Sequence, residues 1–168
     1  LILPTGPADA LDTCALLFMQ AIHTAEERIW ITSPYFVPDE TVLNALLMAA
    51  LRGVDVRIML PERPDHRLVY LARLSFIHET VSNGVKLYRY HHGFLHQKVF
   101  LVDRELAAVG TANLDNRSFR LNFEFTALVA DAGFAAQVEA MLETDFSHCR
   151  EVAADELDKR PFLYRAAA

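Results

Sequence analysis

The feature that most constrains the fold is an alternation between helical and strand-like hydrophobic periodicity along the chain. Residues 9–27 carry apolar side chains at helical spacing, and residues 28–33 form a short apolar run typical of a strand. Further helices are predicted over residues 39–52, 65–82 and 132–147, and further strands over residues 54–60, 85–90, 97–103, 105–110 and 122–130. This alternation predicts an α/β fold, a mixed β-sheet flanked by helices on both faces.

Length and composition place the chain among folded single domains. Its 168 residues are 52% hydrophobic and 23% charged, and no linker-like, repeated or low-complexity stretch divides them. We therefore interpret residues 1–168 as one domain. The start at Leu1 and the terminal Ala166–Ala168 tract favour a fragment of a longer protein. No apolar run approaches the roughly 20 residues of a membrane span, so this piece is expected to be soluble, with any membrane anchor outside it.

Charge and cysteine content exclude some classes of function. Lys and Arg number 16 against 22 Asp and Glu, a formal net charge of -6, which disfavours a general nucleic-acid-binding protein. A small basic pocket for one phosphate is still compatible with that balance. Cys14 and Cys149 lie far apart without a CxxC motif, so two buried or partly buried thiols are expected rather than a zinc site or a disulfide.

The residues that can carry chemistry lie between positions 94 and 124. His96 and Lys98 are two apart at the start of a strand, so their side chains point to the same face. Asp103 falls at the following turn, and Gly110, Thr111 and Asn113 end the next strand. A histidine able to attack phosphorus, beside a cation and neutral hydrogen-bond donors, is what phosphodiester transfer requires.

This pattern resembles the signature of the phospholipase D superfamily, H-x-K-x4-D-x6-G-[ST]-x-N. Glu124 stands where that family usually has a carboxylate that orients the catalytic histidine. Further segments resemble the C-terminal half of bacterial cardiolipin synthases. They are Gly6-Pro7-Ala8-Asp9, Ser33-Pro34-Tyr35-Phe36-Val37-Pro38-Asp39-Glu40, Gly93-Phe94-Leu95-His96, the run from Thr111 to Ser118, and Arg160-Pro161-Phe162.

The resemblance implies a phospholipase D-like α-β-α sandwich and a two-step reaction that needs no metal or other cofactor. One histidine forms a phosphohistidine, and the histidine of a second motif protonates the leaving alcohol. Lys98 and Asn113 would bind phosphate with help from Thr111 and, as an extra cation, Arg117. The family condenses two phosphatidylglycerols into cardiolipin and glycerol.

One motif supplies half an active site, so the other half must come from upstream sequence or from a second copy of the chain. In two-motif relatives the N-terminal histidine is more often drawn as the nucleophile, which favours the acid/base role for His96. The full-length protein would be associated with the bacterial inner membrane and would work at the membrane surface, with no nucleic-acid partner expected.

Several residues admit simpler interpretations. Asp103 could orient the imidazole or could serve a structural turn. A metal site at His91, His92 and His96 is disfavoured, since a matching set of cysteine or carboxylate ligands is missing. The loop at residues 34–39 is more simply a packed connection than a wall of the site, and Trp30 is most simply a core residue. Charged residues of the third predicted helix and the stretch before it are typical of a solvated face; they are Arg63, His66, Arg67 and Arg73.

Two other functions share the same residues. One is a phospholipase or nuclease of the superfamily acting as a homodimer. The acidic composition disfavours it, and so does the resemblance of the Pro-Tyr-Phe-Val-Pro-Asp segment to lipid enzymes. The other is a non-catalytic half kept for assembly or lipid binding. The intact His96, Lys98 and Asn113 count against that second alternative.

Overall fold

The computed structural model describes residues 1–63 and 76–153. The strands are β1 Ile2–Thr5, β2 Arg28–Thr32, β3 Phe36–Val37, β4 Asp55–Pro61, β5 Lys86–Tyr90, β6 Val99–Val102, β7 Leu106–Gly110, β8 Leu114–Asp115, β9 Glu124–Ala130 and β10 Cys149–Glu151. The helices are α1 Thr13–Thr24, α2 Glu40–Leu51, α3 Asn116–Arg120 and α4 Ala132–Ser147, and residues 76–82 are also helical.

Eight strands form one mixed sheet in the order β1-β9-β7-β6-β2-β4-β5-β10. β2, β4 and β5 run parallel to one another, while the pairs on either side of this group are antiparallel. The short strands β3 and β8 form a separate parallel pair. The mixed sheet is the one that the alternating periodicity predicts.

Helices cover both faces of the sheet. On one face Phe18 of α1 and Leu46 of α2 belong to the same buried cluster as Phe100 of β6, and the Phe18 and Phe100 rings lie 5.5 Å apart. On the other face Trp30 of β2 packs with Leu142 of α4. Because side chains alternate along a strand, Trp30 packs on the α4 face of the sheet, whereas Ile29 and Ile31 pack on the α1 face. The prediction that Trp30 is a core residue is confirmed, as it is 3% exposed.

Most of the long elements lie where the sequence predicts them. Asp39 and Asp131 cap α2 and α4, each accepting a hydrogen bond from a backbone N–H in the first turn. The first helix begins at Thr13 rather than at residue 9, because Gly6 to Asp9 form a turn in which the Gly6 N–H donates to the Asp9 carboxylate. The predicted helix over residues 65–82 lies partly outside the described residues. None of the helices in the described ranges is long and apolar enough to cross a membrane.

Four strand ends meet at one edge of the sheet. Thr32, at the end of β2, pairs with Val99 at the start of β6. Gly110 ends β7 and pairs with Thr126, near the start of β9, while its N–H donates to the Lys98 carbonyl over 3.1 Å. The loops that carry the candidate residues therefore converge at this edge, here called the site edge.

Candidate active site

His96 and Lys98 lie together immediately before β6. The Lys98 Nζ is 2.9 Å from His96 Nδ1 and donates to the His96 carbonyl oxygen over 2.8 Å. The sequence expectation that both side chains share a face is thereby met. A cation and an imidazole placed this close can act on one phosphoryl group.

The His96 ring is exposed and has an aromatic neighbour. Phe94 stacks nearly parallel to it, with ring centroids 5.5 Å apart and an interplanar angle of 10°. Phe94 is 73% exposed, and Leu121 and Phe123, in the loop before β9, are 66% and 81% exposed. The site edge therefore presents large apolar side chains to the surroundings.

The end of β7 is shaped by a close backbone approach. A Cβ at Gly110 would lie 2.5 Å from the Phe125 carbonyl oxygen, so only glycine fits there. The next residue, Thr111, exchanges hydrogen bonds with Phe125: its N–H donates to the Phe125 carbonyl, and its hydroxyl accepts from the Phe125 N–H, each over 3.0 Å. Since that hydroxyl only accepts here, its own hydrogen is available to a ligand.

Asn113 is held by a partly buried hydrogen-bond network. Its N–H donates to the hydroxyl of Ser118 over 3.0 Å, and that hydroxyl donates to Glu124 Oε1 over 2.9 Å. Asn122 donates to the same carboxylate oxygen over 3.0 Å. The Asn113 Oδ1 is buried without a partner among the described residues, so the carboxamide keeps hydrogen-bonding capacity that the protein does not use.

Glu124 thus reaches the site through Ser118. Its side-chain hydrogen bonds within the described residues are to Ser118 and Asn122, and no hydrogen bond joins it to His96. The sequence places Glu124 as the group that orients the imidazole, whereas the structure shows it supporting the loop that carries Asn113.

Ser33 joins a second loop to the same site. It is 1% exposed, and its hydroxyl accepts from the Leu114 N–H over 3.0 Å and donates to the Tyr35 carbonyl over 2.7 Å. Phe36 is fully buried beside it. The expectation that residues 34–39 form a packed connection is confirmed, and this connection clamps the segment that follows Asn113.

Asp103 lies at the opposite edge of the sheet. Its carboxylate accepts hydrogen bonds from three successive backbone N–H groups, those of Glu26, Glu27 and Arg28, over 2.8 to 3.0 Å. The four residues of β6, about 13 Å of extended chain, separate it from Lys98. A direct contact with the imidazole is excluded, and the contacts of Asp103 are those of a structural residue.

The remaining candidates lie around the cluster. Arg117 is exposed on α3, and its side chain has no hydrogen bond or ion pair with any other described residue. A narrow crevice lies beneath Lys98 and Gly110, with Thr32, Ser33 and Thr126 among its polar lining. His91 and His92 lie in the exposed turn before the cluster, where His92 stacks on His148.

The two cysteines are free thiols, as the sequence predicts. Burial raises the pKa of the Cys14 thiol to about 11 and that of the Cys149 thiol to about 12, from an ordinary value of 9.0.

A thiol whose pKa is higher in the folded state than in the unfolded state stabilises the fold at a pH below its unfolded-state pKa. It loses that contribution as the pH rises toward its folded-state pKa. We expect the free energy of unfolding, measured by urea titration, to fall between pH 9 and 11. A Cys14→Ala/Cys149→Ser variant should show a shallower fall, and an unchanged slope would contradict this assignment.

Comparison with known families agrees with the geometry of the site. The model of the family described as "Cardiolipin synthase, PLD-like domain" matches residues 18–146, a span that contains the whole His96-to-Asn113 cluster. The chain belongs to this phospholipase D-like family. Its mixed sheet and helical layers are accordingly those of the phospholipase D fold.

Curated relatives include cardiolipin synthase A of Pseudomonas putida and of Pseudomonas entomophila, each 60% identical over 154 residues. Each alignment covers 92% of this chain and 32% of the relative. The chain therefore spans about a third of the length of these relatives.

Solved structures with the same fold include the phospholipase D family member Nuc from Salmonella typhimurium, with a TM-score of 0.77 and 21% identity. That match covers 90% of this chain and 96% of Nuc. Phosphatidylserine synthase from Haemophilus influenzae matches with a TM-score of 0.77 and 19% identity, over 98% of this chain and 44% of that one. At these identities the likeness concerns the fold.

Sequence reasoning missed two residues that shape the site. In the sequence analysis, Ser33 appears only as part of a segment that resembles a known family. A hydroxyl at the end of a buried strand and before a proline is nevertheless a signal for a hydrogen bond that anchors a loop. Gln97 receives no role from its sequence context. Its side chain donates a hydrogen bond to Asp145 on α4. Asp145 lies far along the chain, so no local sequence pattern indicates this contact.

Proposed function

We propose that this chain is one catalytic half of a cardiolipin synthase-type phosphatidyltransferase. The observation that carries the proposal is the convergence of His96, Lys98 and Asn113 at one sheet edge, in a chain 60% identical to cardiolipin synthase A. The substrate would be phosphatidylglycerol, and the products cardiolipin and glycerol.

The reaction proceeds in two displacements at phosphorus. In the first, the histidine of the other half attacks the phosphorus of one phosphatidylglycerol, a P–N bond forms, and the P–O bond to glycerol breaks. His96, protonated to the imidazolium, gives its proton to the departing glycerol oxygen and becomes neutral. In the second, the hydroxyl of another phosphatidylglycerol gives its proton to His96 and attacks phosphorus, which breaks the P–N bond and restores both histidines.

The Lys98 ammonium lies against the His96 ring, 2.9 Å from Nδ1 and 3.5 Å from Nε2. An ammonium group has no lone pair, so the imidazole is the acceptor in this contact. To serve as the acid, His96 takes up a proton to become the imidazolium, which can then give a proton to the leaving oxygen. The same ammonium is positioned to hold phosphoryl oxygen at the edge of the imidazole.

The remaining donors would complete the phosphate site. The Asn113 carboxamide has unused hydrogen-bonding capacity, and the Thr111 hydroxyl has a hydrogen to donate. Arg117 adds an exposed cation without an ion pair among the described residues. Glu124 supports this set through Ser118, so its role is to position Asn113.

The proposal includes a partner and a membrane setting. The second histidine would come from the upstream half of the same protein or from a second copy of this chain. The exposed Phe94, Leu121 and Phe123 at the site edge suit a site that receives acyl chains at a membrane surface. Association of the full-length protein with the bacterial inner membrane belongs to this proposal.

The test is product formation from phosphatidylglycerol in mixed micelles, with cardiolipin and glycerol measured together. The purified chain is assayed alone and after addition of the separately expressed upstream half. We expect cardiolipin only in the mixture. Cardiolipin from the chain alone, from a species that sedimentation shows to be a dimer, would replace the two-half arrangement with a homodimer.

The alternatives give different products in the same experiment. Phosphatidic acid and glycerol without cardiolipin would indicate a phospholipase, and cleavage of an oligonucleotide added in parallel would indicate a nuclease. A mixture that turns over equally well with His96→Ala would leave the chain as a non-catalytic half. Any of these three results would overturn the proposed transferase.

A further inference from the structure

Gln97 lies between the two central residues of the site and points the other way. Its Nε2 donates to Asp145 Oδ2 over 2.8 Å, and both side chains are partly buried. Asp145 is in the last turn of α4, on the face of the sheet opposite α1. Since successive side chains of an extended chain alternate, a bond that holds Gln97 toward α4 directs His96 and Lys98 toward the other face.

The end of α4 also holds the beginning of the same loop. The His91 N–H donates to the His148 carbonyl oxygen over 3.1 Å, and the His92 and His148 rings stack with centroids 4.5 Å apart. Residues 91–97 are therefore tied to the α4 terminus at both ends. The stacking of His92 on His148 holds the end of the loop that is farther from His96. The hydrogen bond from Gln97 to Asp145 holds the residue next to His96.

The imidazole has little to hold it beyond its own segment. Among the described residues its ring stacks on Phe94 and hydrogen-bonds with Lys98, and both belong to residues 94–98. The side chain is exposed, so packing does not restrict it. Its placement consequently depends on the backbone of this segment, which the Gln97–Asp145 hydrogen bond holds.

We propose that Gln97 and Asp145 form a positioning pair that sets the direction of His96 for phosphoryl transfer. The pair touches neither phosphate nor the reacting atoms and acts through the backbone of residues 96–98. The expected effect of the pair on turnover rests on the proposed function. The effect of the pair on the imidazole does not depend on which substrate the site takes.

The test exchanges the two groups. Gln97→Glu places a second carboxylate against Asp145, and Gln97→Glu combined with Asp145→Asn restores a carboxylate–amide pair with the groups reversed. In the single variant we expect kcat of the full-length protein to fall about tenfold with KM changed less than about twofold, since a misplaced catalytic group lowers the rate of the chemical step. The double variant should recover to within about threefold of the original kcat.

The matched control is Gln137→Glu, the same substitution placed on α4, at a side chain whose hydrogen bond among the described residues is to the Gly133 carbonyl of that helix. It should leave kcat unchanged. The second readout is the His96 imidazole signal in nitrogen-detected histidine spectra, assigned with His96→Gln. We expect it to broaden or move in Gln97→Glu and to return in the double variant.

Two results would overturn the inference. One is a double variant as impaired as the single one; the other is a His96 signal unchanged by Gln97→Glu. If the protein makes no cardiolipin but the His96 signal follows the exchange, the proposed function fails and the positioning pair stands. The two proposals are therefore separable in one set of variants.

Discussion

Replacing His96 by glutamine is expected to lower cardiolipin formation by the assembled protein by about a thousandfold. The imidazole is the group that gives and takes the proton in both displacements, and removal of a positioned acid/base typically costs a hundredfold to ten-thousandfold. Glutamine keeps a polar side chain of similar reach, so the hydrogen bond from Lys98 can persist. The loss then reports chemistry rather than collapse of the site.

The control is His91→Gln, in the exposed turn before the cluster. The His91 backbone N–H bonds to His148, a contact that the substitution leaves intact. We expect near-original turnover from this variant, measured with the same micelles. Equal losses in the two variants would mean that the site does not depend on His96 specifically.

The same variant separates the two roles open to His96. With radiolabelled phosphatidylglycerol and acid quenching, a phosphohistidine on the other half should still form in His96→Gln, though more slowly. Loss of all trapped label, together with label on His96 in the original protein, would make His96 the nucleophile instead.

The second large effect is on stability. Asp103→Ala should lower the free energy of unfolding by about 2–4 kcal/mol, because it leaves the backbone N–H groups of Glu26, Glu27 and Arg28 without their acceptor. Asp103 also has a φ of 49°, a left-handed conformation that alanine adopts at a cost of about 1 kcal/mol. Urea denaturation measures the difference.

Two further substitutions divide this loss into its parts. Asp103→Gly removes the carboxylate but tolerates the positive φ, so it should be less destabilising than alanine. Asp103→Asn keeps one acceptor oxygen and also tolerates this conformation, and should be the mildest of the three. Turnover per folded molecule should be unchanged in Asp103→Asn. A stable Asp103→Asn variant with lost turnover would instead return Asp103 to the chemistry of the site.

Local pattern was sufficient to predict the long elements and to indicate candidate residues for the site. The helices that Asp39 and Asp131 begin, and the strands around residues 54–60 and 85–90, follow from periodicity and capping alone. The short strands β1, β3, β8 and β10 do not, since each has two to four residues and exists only because a distant strand pairs with it.

The placement of the acidic residues depends on the same long-range pairing. Asp103 and Glu124 both stand at positions where a carboxylate could orient a histidine. Because β6 and β7 form an antiparallel hairpin, the Asp103 turn lies at the edge opposite Lys98, whereas Glu124 begins β9 at the site edge. Sequence spacing contains no information about which end of the sheet a turn occupies.

By itself, the sequence determined the α/β class and indicated His96, Lys98 and Asn113 as candidates for phosphate chemistry, because residue chemistry and two-residue spacing are local properties. The tertiary structure decided the rest. It placed Asp103 as the acceptor of three backbone N–H groups, linked Glu124 to Asn113 through Ser118, and tied Gln97 to Asp145. Each of these contacts joins elements brought together by the sheet, and only the folded chain sets the distances between them.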